Sequence, residues 1–262
     1  MSKFKEMPRS TSSTMATKRA RTTGSGSATE RNNYLVLGCK PWNRRLFDES
    51  LHQLPGRWTY VDAAQSLTFD FVRKLSPRYI FFLHWSWRVP EQVVKRFECV
   101  CFHMTDVPFG RGGSPLQNLI VRGHRETKLS ALRMTEEFDA GPVYMKEPLS
   151  LEGGAEEIYL RADRLSASMI ERIVHEEMKP VPQQGKAVNF KRRTPAESEV
   201  GRFGSLGALY DFIRMLDAEG YPRAFFHYSG MRFELSRPAL YDGRIVADVK
   251  ITYTDSSKEP GK

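Results

Sequence analysis

Two side chains in this sequence have the types and settings needed to move a proton. His103 closes the apolar run Cys99-Val-Cys-Phe-His103, and Asp139 opens the turn Asp139-Ala-Gly141, 36 residues further on. An imidazole titrates near neutrality, so it can take a proton from a reacting group and return it. A carboxylate beside it can orient the ring and support its cation. Between them lies a loop from Met104 to Gly113 punctuated by Pro108, Gly110, Gly112 and Gly113. Gly110-Arg-Gly-Gly113 looks like a phosphate-cradling loop, but the Lys-Ser/Thr of a Walker sequence is missing. Gly38-Cys-Lys-Pro41 likewise lacks a dinucleotide fingerprint. No His, Cys, Asp and Glu set has zinc spacing, so no metal is expected.

The elements that must carry these residues follow from periodicity. Tyr34–Gly38, Trp58–Val61, Tyr79–Leu83 and Cys99–His103 read as strands. Helical patterns at 41–54, opened by Pro41, at 64–74 and at 90–97 alternate with them. That alternation predicts an α/β fold: a Rossmann-like, mostly parallel sheet, with ligands beyond the carboxyl ends of the strands, where His84 and His103 fall. Ser114-Pro115 reads as the N-cap and first turn of a helix to about Gly123. Two further strands, 129–135 and 143–151, flank the Asp139 turn. Ile158, Leu165, Met169 and Ile173 place one long amphipathic helix over 155–178. The expected organisation is a tail at 1–32, a catalytic domain at 33–182, a connector at 183–204, and a small β-rich C-terminal module at 205–262. That module holds a helix at 205–217 and strands at 224–228, 231–235 and 245–251, with tight turns at Ser229-Gly230 and Asp242-Gly243.

The net charge of +9 is concentrated in residues 1–32, which carry seven Lys/Arg and two Glu; this segment reads as a disordered basic tail. The mildly basic remainder suits an anionic small molecule and does not by itself call for nucleic acid. No run is long and apolar enough to cross a bilayer, and the N-terminus has no secretory pattern. Three cysteines without scaffold spacing point to a reducing, cytoplasmic setting.

The order His103, Pro108, Arg111-Gly112, Ser114-Pro115, Gly123, Met134, Asp139-Ala-Gly141 resembles the folate-dependent formyltransferase family. The resemblance is closest over 80–150 and extends from 34 to about 225, including Phe190-Lys-Arg-Arg193 and Tyr221-Pro-Arg-Ala-Phe225. It implies N10-formyltetrahydrofolate as formyl donor, His103 as base and proton relay, and Asp139 as its support. It also implies a pterin site at Trp85, Trp87, Arg88 and Val89, with Phe138 as neighbour. Thr105, Arg111, Gly112 and Gly113 are the expected acceptor-substrate contacts. One position departs from the family: Cys101 stands where an Asn is expected, two residues before the histidine. A thiol is a weaker donor than an amide. Three readings follow: Asn118 or Gln117 supplies the missing amide, or protonated His103 and backbone N–H groups do, or the chain is a catalytically impaired ligand-binding or scaffolding relative.

The length favours a nucleotide-linked amino sugar as acceptor, and with it a homodimer. The alternative is a methionyl-tRNA formyltransferase, for which a longer chain and a more basic C-terminal module are expected. Nucleic acid is a partner only under that alternative.

Overall fold

The computed structural model describes residues 32–254 of the 262-residue chain; the basic tail expected at 1–32 lies, but for its last residue, outside the described residues. The central sheet has six strands: β1 (Asn33–Gly38), β2 (Arg57–Val61), β3 (Tyr79–Leu83), β4 (Cys99–His103), β6 (Glu126–Arg133) and β7 (Val143–Ser150). Their order is β2-β1-β3-β4-β6-β7. β2, β1, β3 and β4 are mutually parallel, while β6 and β7 run antiparallel to their neighbours.

Alternation along the central strands sorts side chains into two cores. Tyr34, Val36, Phe81 and Leu83 face one layer, and Leu35, Leu37, Ile80 and Phe82 face the other. Helix α1 (Pro41–Glu49) and the 22-residue α5 (Ala155–Glu176) cover the first face. α2 (Phe69–Leu75) and α3 (Glu91–Arg96) cover the second. Thr68 caps α2 by accepting from the Phe71 N–H at 3.2 Å, and Ser205 caps α6 (Leu206–Arg214) by accepting from Ala208 at 3.1 Å.

Three expectations need correction. The Gly/Pro-rich loop contains a strand, β5 (Phe109–Gly112), paired in parallel with β8 (Val188–Phe190). Gly112 permits this approach: a Cβ there would meet the Phe190 carbonyl oxygen at 2.5 Å, and its φ is +100°. The 183–204 segment is therefore pinned to the body. Ser114 does not cap α4 (Pro115–Ile120); it adopts φ +50°, and its hydroxyl accepts from the Arg193 N–H at 3.0 Å.

The third sheet is antiparallel, β9 (Ala224–Tyr228), β10 (Met231–Tyr241) and β11 (Arg244–Tyr253), in the order β11-β10-β9. Phe212, Ile213, Met215, Leu216 and Ala224 join the same core cluster as Ile158 and Tyr159 of α5. Arg214, 1% exposed, fastens α6 by donating to the carbonyls of Leu151 (2.6 Å) and Gly153 (2.8 Å) while pairing with Asp211 (2.6 Å). Among the described residues no helix is long and apolar enough to cross a membrane.

Candidate active site

His103 ends β4 and is 7% exposed. Its Nε2 lies 2.7 Å from the Gly110 carbonyl oxygen, which can only accept, so Nε2 carries a proton. The lone pair of the neutral ring is then on Nδ1, which faces Asp139 Oδ1 at 3.5 Å. The other carboxylate oxygen, Oδ2, accepts from the Gly112 N–H at 2.9 Å. Asp139 holds φ +55°, a left-handed conformation that costs a non-glycine residue about 1–2 kcal/mol and persists only where neighbours enforce it. Gly141 completes the turn, because a Cβ there would fall 1.8 Å from the Arg133 carbonyl oxygen.

Cys101 sits on β4 between Phe82 of β3 and Leu132 of β6. Burial first, then the charge of Asp139, pushes its thiol well up. It is therefore neutral and no nucleophile. In the native protein at pH 8, iodoacetamide should leave Cys101 unmodified, and in urea it should label it fully. Peptide mass analysis reads the outcome, and native labelling of Cys101 would contradict this placement.

Several expected contacts are otherwise employed. The Asn118 amide donates to the carbonyls of Gly113 (3.1 Å), Ser114 (3.0 Å) and Lys191 (3.0 Å), so it is no oxyanion donor. Gln117 donates to Tyr159 and to the Met215 carbonyl. Thr105 is fully buried, its hydroxyl donating to the Gly110 carbonyl at 3.3 Å, and cannot touch an acceptor substrate. The Arg111 guanidinium is occupied by Gln183 and Glu137 rather than turned to a diphosphate. Gly112 spends its N–H on Asp139, and Gly113 spends its own on the Phe190 carbonyl at 3.3 Å. These glycines serve close chain approach; a Cβ at Gly113 would meet Arg192 at 2.3 Å.

The loop after β3 is split in its roles. Trp85 and Val89 pack on the second core beside Cys101 and Met134, while Arg88 is exposed. Trp87, 45% exposed, meets Trp85 edge-on at 4.8 Å, and Phe138 is 80% exposed beside Asp139. Trp85 Nε1 is buried with no partner among the described residues.

A second polar group, which periodicity did not single out, lies at the ends of β1 and β3. His84 Nδ1 is 4.0 Å from Asp163 Oδ1, which accepts from the Asn43 amide at 2.8 Å. Burial pushes the Asp163 carboxyl up to about 7; burial, and then Lys40, pushes His84 down to about 4. At neutral pH they are therefore not a full ion pair, despite the geometry. An acid whose folded value exceeds its unfolded value costs stability as pH rises from about 4 to about 7, and the loss persists above. Asp163→Asn keeps the acceptor for Asn43 and cannot ionise. It should stabilise the protein by roughly 2–4 kcal/mol at pH 8 and hardly at all at pH 4, as read by urea denaturation. Equal gains at both pH values would refute the assignment.

This doubly wound sheet, with a His–Asp pair beyond its strand ends and a C-terminal antiparallel sheet, has the formyltransferase architecture. Residues 195–252 match the family described as methionyl-tRNA formyltransferase, C-terminal domain. The methionyl-tRNA formyltransferase from Clostridium thermocellum is a similar solved structure: 42% identity, 85% of this chain and 99% of that chain covered, TM-score 0.81. The methionyl-tRNA formyltransferase of Rickettsia prowazekii (strain Madrid E) is 24% identical over 215 residues, 79% of this chain and 69% of that protein. For other Rickettsia relatives of that name the match spans 65% of their length, just under two thirds. A 4-N formyltransferase from Francisella tularensis shares the fold alone, at 13% identity and TM-score 0.60, with 83% of this chain and 96% of that chain covered. The chain belongs to the formyltransferase family, enzymes that transfer a formyl group, and its C-terminal part is of the methionyl-tRNA formyltransferase kind.

The amino-sugar acceptor expected from length is overturned by these relatives. A relative named for methionyl-tRNA is matched over 99% of its own chain, so short length does not separate the two acceptor classes.

Proposed function

We propose that this chain transfers the formyl group of N10-formyltetrahydrofolate to the amine of methionine carried by initiator tRNA. The 42% identity to the Clostridium thermocellum protein, spread over 99% of that chain, is the observation that supports this acceptor. The family's use of formyl-tetrahydrofolate supports the donor. The residues fit it: the exposed faces of Trp87 and Phe138 offer apolar contact to a flat heterocycle.

In this reading the amine nitrogen attacks the formyl carbon and the carbonyl oxygen takes the negative charge. His103 Nδ1 accepts the proton that the amine loses, and the imidazolium formed is held against Asp139. The same proton goes back to the folate nitrogen as the carbon–nitrogen bond to it breaks. Charge on the oxygen needs support. With the Asn118 and Gln117 amides, the Gly112 and Gly113 N–H groups, and the imidazole nitrogens themselves committed to Gly110 and Asp139, the remaining support of those considered is the positive charge of protonated His103 rather than a free N–H. The test supplies N10-formyltetrahydrofolate with methionyl-initiator tRNA and follows both formyl-methionine and released tetrahydrofolate. Equal appearance of the two supports the reading. Turnover of a nucleotide-linked amino sugar without turnover of charged tRNA would overturn it.

A further inference from the structure

We propose that Gln183 is a positioning residue of this site, its single carboxamide locking the Arg111 strand to the Asp139 turn and thereby setting Asp139 against His103. The proposal rests on the His103–Asp139 reading above. Gln183 Nε2 donates to the Asp139 carbonyl at 2.7 Å and to the Gly141 carbonyl at 2.8 Å. Its Oε1 accepts from Arg111 Nε at 3.1 Å and Nη2 at 2.9 Å. Both donors and both acceptor positions of the amide are thus used. The backbone that presents it is itself fixed: two residues earlier, Val181 exchanges N–H···O bonds with Val143, both 2.8 Å.

The chemistry demanded at this point is specific. Two carbonyl oxygens, that of the left-handed Asp139 and that of Gly141, require donors; a guanidinium requires an acceptor. A neutral carboxamide offers both in one plane. A carboxylate would keep Arg111 but turn lone pairs toward the two carbonyls, and an apolar side chain would satisfy neither. Asp139 has its backbone on Gln183 and its carboxylate on Gly112 and His103, so release of the turn moves the carboxylate away from the imidazole. Arg111 belongs to the strand that supplies Gly112 and the Gly110 carbonyl that His103 Nε2 meets, so one partner of the Asp139 carboxylate lies on the strand this amide holds and the other is hydrogen-bonded to it.

Gln183→Met and Gln183→Glu test this in the full chain, with and without Asp139→Asn. Both single variants should fold, judged by circular dichroism. Each should lower kcat by about 10–100-fold, the usual cost of losing a supporting contact around an active group, with KM for the folate changed by less than about threefold. In the Asp139→Asn background, Gln183→Met should cost less than about threefold more, because the group it positions is already disabled. Unchanged kcat in both single variants would overturn the proposal. So would a loss that multiplies in full with that of Asp139→Asn, since an independent structural role predicts that result. If His103→Ala retains full activity, the underlying site reading fails instead, whatever the Gln183 variants show.

Discussion

His103→Ala should lower kcat for formyl transfer by about 10²–10⁴-fold, the range that a positioned general base contributes. Tetrahydrofolate release, followed under steady state, is the measurement. Binding of a stable formyl-folate analogue, read by calorimetry, should stay within about threefold. The two readouts separate because the side chain faces Asp139 and the Gly110 carbonyl rather than Trp87 or Phe138. The fold should tolerate the change. The Gly110 carbonyl that loses the imidazole still accepts from the Thr105 hydroxyl, so no buried acceptor is left bare. A variant keeping more than a tenth of the wild-type kcat would remove His103 from the chemistry, and Asp139 with it.

The second large effect concerns stability. Arg214→Met should destabilise the protein by about 3–5 kcal/mol, because removing one member of a buried, hydrogen-bonded pair leaves its partners uncompensated. The Leu151 and Gly153 carbonyls would lose their donor. Asp211 would keep only the more exposed Arg125, at 3.4 Å. The guanidinium also lies 5.7 Å from the Tyr210 ring, a contact that the thioether replaces in part. The shift in urea midpoint, with the slope unchanged, gives the value. A loss under about 1 kcal/mol would mean that water reaches these carbonyls freely.

Most of the architecture was legible because its signals are local. Five-residue apolar runs such as Tyr79–Leu83 announce buried parallel strands, and the Ile158, Met169, Ile173 stripe announces α5. The His103–Asp139 pair was legible through order and spacing. Pairings between remote segments were not. β5 is hidden by its own glycines, and its partner β8 is three residues long and nearly eighty residues away. Gln183 was missed for a related reason: a glutamine after a helix carries no periodic or motif signal, and its four bonds exist only once the Asp139 turn and β5 are adjacent. Asn118, Thr105 and Arg111 show the opposite side of the same limit. Their types suit ligand contact, but the folded chain's own carbonyls and carboxamides claim them first. Chain length carries no signal for the acceptor, since a relative named for methionyl-tRNA is matched over 99% of its own chain.

The sharing of one core by α5 and α6 bears on how this protein can vary. Ile213, Met215 and Leu216 are walls of the interior that Ile158 and Tyr159 also line, and Arg214 is the bolt through it. Residues 206–253 are therefore not a cassette that recombination can trade between relatives with the front part left as it was. A new C-terminal part must arrive with a matching surface on α5 and a cation for the same two carbonyls. Changes in the C-terminal sheet are thus expected to accumulate on β11, which is mostly exposed, rather than on β10, whose Leu235 packs against the shared interior.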